Sequence, residues 1–274
     1  MKNILVPTNL SHNSDNVLKC AIHLGINGGY KLFFYIANIN NPVLTKEYAL
    51  KHIANIFKAL NLDPAHVQTE LIVEDTFFSN TQIKSIIDKF SINLVLLETH
   101  PKVYKNTFFD TQVLDLIDNA QCPVLLIAPD CKDVSIERIG YATELYDLSA
   151  RLNEIMPWVK KLGASVEAFH VYPVYPQNVD LKEYNVKEAL SLVREDNAYE
   201  KINLYFIKTD RNNEIVEGIS EFLNIYKPDM LVMYHSPMGI LDKLLMDSGT
   251  TLSVLKVSRI PVLILNHKTK EVLP

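Results

Sequence analysis

The sequence predicts an α/β protein made of two repeated, doubly wound domains, each a five-stranded parallel sheet with helices on both faces. Short apolar segments bounded by turn residues are typical of buried parallel strands, and here they alternate with amphipathic segments of helical period. The pattern then restarts. Thr8 matches Thr143 at a shift of 135 residues, and Pro123 matches Pro261 at a shift of 138. Such similar shifts indicate an internal duplication with few insertions.

The first half alternates five predicted strands with four predicted helices. Its opening strand ends at a Pro-Thr-Asn turn, and Ser11 or Ser14 can cap the helix that follows. Gly25, Gly28 and Gly29 mark the end of that helix and the turn after it. The predicted strands are residues 3–6, 31–37, 67–73, 93–97 and 123–127, and the second helix, about 45–60, places Leu50 on its core face.

A polar, turn-rich segment separates the two halves. We therefore predict domains at residues 1–130 and 138–274, joined by a linker at about 131–137. The second half opens with a strand within residues 138–144, which mirrors the first strand of the chain. Its later predicted strands are 165–171, 202–207, 230–234 and 261–265, and its predicted helices are 148–162, 182–194 and 214–226.

Composition and charge exclude several functions. The chain has 27 basic and 32 acidic residues, a net charge of −5, so it lacks the basic surplus with which proteins bind nucleic acid. No apolar run reaches the roughly 18 residues of a membrane-spanning helix. Cys20, Cys122 and Cys131 show no metal-ligand spacing and indicate buried thiols in a reducing compartment. We expect a cytoplasmic protein that binds no metal, nucleic acid or membrane.

Four segments together resemble the universal stress protein family. The opening segment, MKNILVPTNLSHNSDNVLKCAIHLG, resembles that family's first strand, loop and helix, and SINLVLLETHPK resembles its fourth strand. CPVLLI and IPVLIL resemble its closing strand, once in each half. The chain is thus similar to a tandem member of the family over essentially its whole length.

The resemblance implies a Rossmann-like, adenine nucleotide hydrolase-like fold with strand order 3-2-1-4-5 in each sheet. It also implies a role in the stress response. Fifth strands of two domains typically pair in this family, which predicts an internal pseudo-dimer through residues 123–127 and 261–265. Pairing would also cover two apolar sheet edges, which is physically favourable. The sequence leaves open whether two copies of the chain also form a homodimer.

The loops after the fourth strands depart from the family's nucleotide-binding pattern, Gly-x2-Gly-x9-Gly-Ser/Thr. In that pattern, glycines let backbone N–H groups approach the phosphates. The corresponding residues are ETHP at 98–101 and YHSP at 234–237. Both loops lack the glycines, and each proline removes an N–H donor. The resemblance therefore argues against tight ATP binding, and we predict no tightly bound cofactor.

Any surviving pocket is predicted in the first half. Nucleotide-binding relatives usually carry an aspartate after the first strand, whereas this chain has Asn9 there and Glu144 in the second half. Asn9 can equally be a turn residue at a strand end. Weak ATP or AMP binding stays open, because a helix start at Thr111 favours anions. The resemblance assigns to this vestigial nucleotide pocket Thr8, Asn9, Val73, Thr99, His100 and Thr111, with no catalytic residue.

We favour a stress-response binding or interaction protein over an enzyme, with an unknown small molecule or protein as its partner. One alternative is a nucleotide sensor or slow ATPase that uses the first domain only. Another is a structural partner-binding protein whose clefts are filled by its own side chains.

Overall fold

The computed structural model describes residues 2–11, 14–38, 43–77, 79–98, 113, 115–117, 119–128, 136–145, 148–173, 186–209, 215–235 and 260–266. The chain divides into two compact units, essentially Met1–Val134 and Ser135–His267. This division falls within the segment predicted as a linker. The domain limits themselves stay predictions, because residues 129–135 and 267–274 lie outside the described residues.

The first unit contains a parallel sheet of five strands. Strand β1 (Asn3–Pro7) pairs with β2 (Lys31–Ala37) on one side and with β4 (Ile92–Glu98) on the other. Strand β3 (Thr69–Glu74) pairs with β2, and β5 (Val124–Ile127) pairs with β4. The order is therefore β3-β2-β1-β4-β5, as the family resemblance implies.

Helices α1 (Asp15–Gly28), α2 (Lys46–Ala59) and α3 (Asn80–Phe90) connect the first four strands. The Thr45 side chain caps α2 by accepting from Tyr48 N, and the Ser79 side chain caps α3 by accepting from Gln82 N. These bonds satisfy backbone donors that a helix start leaves unpaired. Helical structure also occurs at residues 113, 115–117 and 119.

Two local predictions about α1 and α2 need correction. Gly29, in the left-handed region at φ 65°, ends α1 as predicted, but Gly25 lies inside the helix. A Cβ at Gly25 would lie 2.7 Å from Val67 Cγ2 and 3.1 Å from Leu32 Cδ1 on β2, so this glycine allows the helix to pack closely against the sheet. The prediction that Leu50 lies on the core face of α2 is wrong. Leu50 is 52% exposed and lies beside the stripe of buried residues on this helix.

The second unit repeats the topology of the first. Strand β6 (Arg138–Ala142) pairs with β7 (Ser165–Pro173) and with β9 (Met230–His235). Strand β8 (Ile202–Thr209) pairs with β7, and β10 (Val262–Asn266) pairs with β9. All these pairings are parallel, as they are in the first unit. The predicted fold class, two repeated α/β units with parallel sheets, is confirmed.

Helices α4 (Leu148–Leu162), α5 (Val186–Asn197) and α6 (Ile215–Tyr226) belong to the second unit. Helix α4 has the predicted bounds. Helix α5 continues three residues beyond the predicted end at residue 194, and the predicted start at 182 lies outside the described residues. Within the described ranges, no helix is both long enough and apolar enough to cross a membrane.

Candidate functional site

The turn after β1 fixes the backbone at the carboxyl end of the first sheet. Thr8 N donates to the Tyr35 carbonyl on β2 at 2.9 Å, and Leu10 N donates to Thr8 Oγ1 at 3.0 Å. Leu10 is 5% exposed and has a left-handed backbone, with φ at 54°. A non-glycine residue in this conformation costs about 1–2 kcal/mol. The threonine bond and the surrounding core therefore hold a strained residue in place.

The second unit repeats this turn. Thr143 N donates to the Phe169 carbonyl at 2.9 Å, and Leu145 N donates to Thr143 Oγ1 at 3.0 Å. Leu145 is 3% exposed and has φ at 67°. The same bonds and the same strained conformation thus occur at positions that the sequence matches. Thr8 and Thr143 share one structural role, which is to hold the turn.

The Asn9 side chain accepts two hydrogen bonds from the segment that leads into α1. Its Oδ1 atom accepts from Ser11 N at 3.0 Å and from Ser14 Oγ at 3.3 Å. Ser14 occupies the N-cap position of α1, but it makes no side-chain capping bond, and its Oγ donates to the Ser11 carbonyl at 2.8 Å. These contacts support the interpretation of Asn9 as a turn residue.

The other predicted site residues do not join this turn. Val73 lies on β3 in register with Ile36 of β2. Since β2 separates β3 from β1, Val73 is two strand spacings, roughly 10 Å, from β1. Thr99, His100 and Thr111 lie outside the described residues. Of the predicted pocket, the structure therefore brings only Thr8 and Asn9 together.

A second polar cluster lies where β2 and β3 end, near Val73. Tyr35 Oη is 3.4 Å from Glu74 Oε2 and 3.5 Å from Thr76 Oγ1. Burial raises the pKa of the Tyr35 phenol above its ordinary value. Asn38 N extends the strand pairing by donating to the Glu74 carbonyl at 3.0 Å.

The end of β4 carries a carboxyl group that is absent from the predicted site residues. The last paired residues of β1 and β4 are Leu5 and Val95, and counting three residues further along each chain segment puts Thr8 level with Glu98. Glu98 is half-buried, and burial, with a smaller contribution from the Asp15 charge, raises its pKa from the ordinary 4.5 to about 7. The one sequence signal for this group is a carboxylate that closes an otherwise apolar strand.

Asp15 connects this carboxyl to α2. It lies in the first turn of α1, and its Oδ1 atom is 2.8 Å from His52 Nε2. The Tyr48 ring stacks beside the His52 ring, with centroids 6.2 Å apart. Two carboxyl groups thus lie near the carboxyl ends of β1 and β4. A polyphosphate at this place would meet the charge of Asp15 and, above pH 7, that of Glu98, whereas a neutral or cationic hydrogen-bond donor would meet no like charge.

The second unit carries an aromatic residue and a cation at the equivalent place. Ala142 of β6 pairs with Met233 of β9, so Thr143 is level with Tyr234 as Thr8 is level with Glu98. Arg151 of α4 stacks on Tyr234, with its Cζ 3.4 Å from the ring centroid. The two units therefore share a turn and differ in the chemistry beside it.

The cysteines give no sign of metal binding. Cys20 and Cys122 are buried free thiols, and burial raises the pKa of Cys122 to about 12. Cys131 lies outside the described residues. Among the residues that the structure describes, no three His, Cys, Asp or Glu side chains converge as metal ligands.

Comparisons with known proteins identify the fold. No family model and no curated protein matches the chain. A universal stress protein from Archaeoglobus fulgidus is 15% identical, with a TM-score of 0.65 over 96% of each chain. Two Pseudomonas aeruginosa proteins, one of unknown function and one a candidate universal stress protein, are each 14% identical. Both have a TM-score of 0.60 and cover 97% of this chain, and the matches span 92% and 93% of theirs. The chain therefore has the fold of the universal stress proteins over nearly its whole length.

Proposed function

We propose that this chain is a cytoplasmic, non-enzymatic binding protein of the stress response, with a ligand cleft between the carboxyl ends of β1 and β4. Glu98 is the observation that supports the cleft, because it is a half-buried carboxyl level with the Thr8 turn. Ligands of doubly wound sheets bind outside the strand carboxyl ends, where the strand order reverses. In the first unit that point lies between β1 and β4. The stress-response role rests on the shared fold and is an analogy.

The charges near the cleft favour a neutral or cationic ligand. Asp15 lies close enough to Glu98 to raise its pKa. The Asp15 carboxylate would repel a polyphosphate, and so would Glu98 once it ionises above its pKa of about 7, whereas a ligand N–H or O–H group could donate to a Glu98 oxygen. We retain Thr99 and His100, which directly follow β4, and Thr111 as proposed members of this cleft. Val73 is the outlying member, two strands from β1.

Calorimetry with adenine nucleotides tests this preference. We expect no heat of binding from ATP or AMP at about millimolar concentration, where detectable binding needs only about −4 kcal/mol. Native mass spectrometry of freshly purified protein would identify a co-purified neutral or cationic ligand. In the sequence, Asp110-Thr111 of the first half corresponds to Asp247-Ser248 of the second. Nucleotide binding that Thr111→Val weakens, and that the matched variant Ser248→Ala leaves unchanged, would instead favour the nucleotide sensor or slow ATPase in the first domain.

We also propose that residues 123–127 and 261–265 pair to form the internal pseudo-dimer. Strand β5 ends the strand order of the first unit, and β10 ends that of the second. Val124, Leu125, Leu126 and Ile127 are each at most 1% exposed. An apolar strand at a sheet edge is an aggregation hazard unless something covers it, and an equivalent strand is a suitable cover.

Hydrogen exchange at β5 tests the pairing. Alternate amides of an edge strand point away from its partner, so an unpaired edge exchanges them quickly. We expect slow exchange at all four β5 amides, and faster exchange at the outward amides of β3, which ends the same sheet. Equal, fast exchange at the outward amides of β5 and β3 would disprove the pairing. Native mass spectrometry of the same sample would show whether a homodimer also forms.

A further inference from the structure

Several buried polar atoms of the second unit have no hydrogen-bond partner in the described part of the chain, and two of them belong to neighbouring elements near the end of the sheet. These two are Nη1 of Arg151 and Oη of Tyr141. The Tyr141 residue is 0% exposed, and burial raises the pKa of its phenol, which therefore keeps its proton. More than nine in ten buried polar groups in folded proteins are paired, and an unpaired cationic donor is among the most costly exceptions. Two such donors in one unit call for an acceptor.

Both atoms lie over one face of the second sheet. Tyr141 of β6 is in register with Val232 of β9, and side chains in register on parallel strands point to the same face. Tyr234 lies two residues beyond Val232, so it also points to that face. Because Arg151 of α4 stacks on Tyr234 at 3.4 Å, its guanidinium lies on the same face as the Tyr141 phenol. The Arg151 charge is also close enough to influence the Tyr141 pKa.

Two carboxyl groups, those of Glu144 and Glu154, lie near the Tyr141 phenol together with the Arg151 guanidinium. Glu154 lies one turn further along α4, and as a whole residue it is exposed. Partial burial of its carboxyl group raises the pKa of that group, and the Arg151 charge opposes this shift. Glu144 follows β6 and is half-buried. Stacking on Tyr234 supports the guanidinium plane, while its N–H groups point outward from the edge of that plane. Arg151 Nη1 is thus a positively charged donor with no acceptor among the residues that the structure describes.

We propose that the second unit binds a small oxyanion, a carboxylate or phosphate group, between Arg151 and Tyr141. The positive charge favours an anion over water, and two donors match two oxygens of one group. The site differs from the cleft proposed in the first unit because the Arg151 guanidinium lies beside its carboxyl groups, whereas the groups near the first cleft, Asp15 and Glu98, are both carboxyls. It also uses side chains of β6 and α4 and does not need the loop that follows β9.

Calorimetry on the full chain, with sodium phosphate and sodium acetate against sodium chloride at constant ionic strength, tests the proposal. We expect saturable binding of one or both oxyanions, and the stronger of the two identifies the source class. Arg151→Met and Tyr141→Phe should each weaken binding about ten- to a hundredfold, as expected for the loss of one hydrogen bond to a charged group. Binding by neither oxyanion, or binding that both variants retain, would overturn the proposal.

A matched variant controls for charge and stacking. Lys31 of the first unit also lies over an aromatic ring, with its Nζ 4.5 Å from the Phe33 centroid, but it is paired with Glu70 at 2.6 Å. Lys31→Met removes the same charge from the chain and should leave oxyanion affinity unchanged. Glu98→Gln should also leave it unchanged, so failure of the first cleft and failure of this site can be told apart.

Thermal unfolding of Tyr141→Phe keeps the test decisive if Arg151→Met does not fold. The phenylalanine keeps the shape and removes only the hydroxyl. In chloride, the variant should unfold at or above the wild-type temperature, because a buried hydroxyl without a partner is removed. In the binding oxyanion the order should reverse, because a ligand stabilises the folded state that binds it. An unchanged order in all three salts would show that no oxyanion contacts the hydroxyl.

Discussion

Glu98→Gln should make the protein more stable above pH 7 and should flatten the fall in its stability between about pH 4.5 and 7. The folded-state pKa of Glu98 is about 7, above the ordinary 4.5, so the folded protein keeps a proton that the unfolded chain loses. Stability from the neutral carboxyl is therefore complete below pH 4.5 and is lost as the pH rises through 7. Glutamine stays neutral throughout, so its variant avoids this loss.

The expected size of the effect follows from the shift and from solvent screening. A shift of this size corresponds to about 3 kcal/mol for a fully buried group. Glu98 is half-buried, which reduces the expected gain at pH 8 to about 1–2 kcal/mol. Urea unfolding at pH 5, 6, 7 and 8 would measure it. Glu200→Gln removes an exposed carboxylate and should keep the wild-type pH dependence. A Glu98→Gln variant with the wild-type slope would contradict the burial of this carboxyl.

Gly140→Ala should destabilise the second unit by about 1–3 kcal/mol, because it overpacks a filled core. Gly140 lies in the central strand β6, and a Cβ there would be 2.9 Å from Phe222 Cε1 and 3.1 Å from Pro228 Cγ. Neither group can move easily. Phe222 is 0% exposed, and its ring stacks on Phe169 with centroids 3.7 Å apart. Proline has a closed ring. The clash must therefore be relieved by shifting packed aromatic groups.

A double-mutant cycle would separate this clash from other effects of alanine. Phe222→Leu removes the ring atom that the new Cβ would meet, so the double variant should lose less stability than the two single variants together. Thermal or urea unfolding of all four proteins gives the coupling free energy. Gly163→Ala is the control, since Gly163 has φ at 67° with nothing within 4 Å of an added Cβ. Its loss should reflect backbone strain and should be independent of Phe222. Additive losses for Gly140→Ala and Phe222→Leu would exclude the clash.

Short-range patterns in the sequence were sufficient for the architecture. The predicted strand 31–37 opens with Lys31 shortly after a glycine pair and continues as an unbroken apolar run, and its predicted bounds are those of β2. The matched positions Thr8 and Thr143 indicated the duplication, and the structure shows the same turn at both. Leu50 and Gly25 could not be placed this way. The exposure of Leu50 depends on where the buried stripe of α2 lies, and Gly25 is fixed by contact with Val67, 42 positions away.

The candidate site was less accessible to sequence reasoning than the fold. The family resemblance directed attention to the loop after β4, where Thr99 and His100 lie outside the described residues. Glu98 is a candidate site residue because it is half-buried and lies near the Asp15 charge, and Arg151 is one because it stacks on Tyr234. Each of these features joins residues far apart in the chain. Residue type and spacing describe single segments, so they do not reveal which side chains tertiary packing brings together.

The strained turns at Leu10 and Leu145 have a consequence for how the two halves diverged. Glycine would adopt this backbone without strain, yet both halves have leucine, and both bury it. A buried leucine tied to a threonine leaves the path of the main chain little freedom to drift after duplication. The two halves differ instead at their strand ends, where Glu98 of the first matches Tyr234 of the second, so the charge differs while the strand pairing is the same. A rigid turn that occurs in both halves thus lets one main-chain frame carry two different sets of chemical groups.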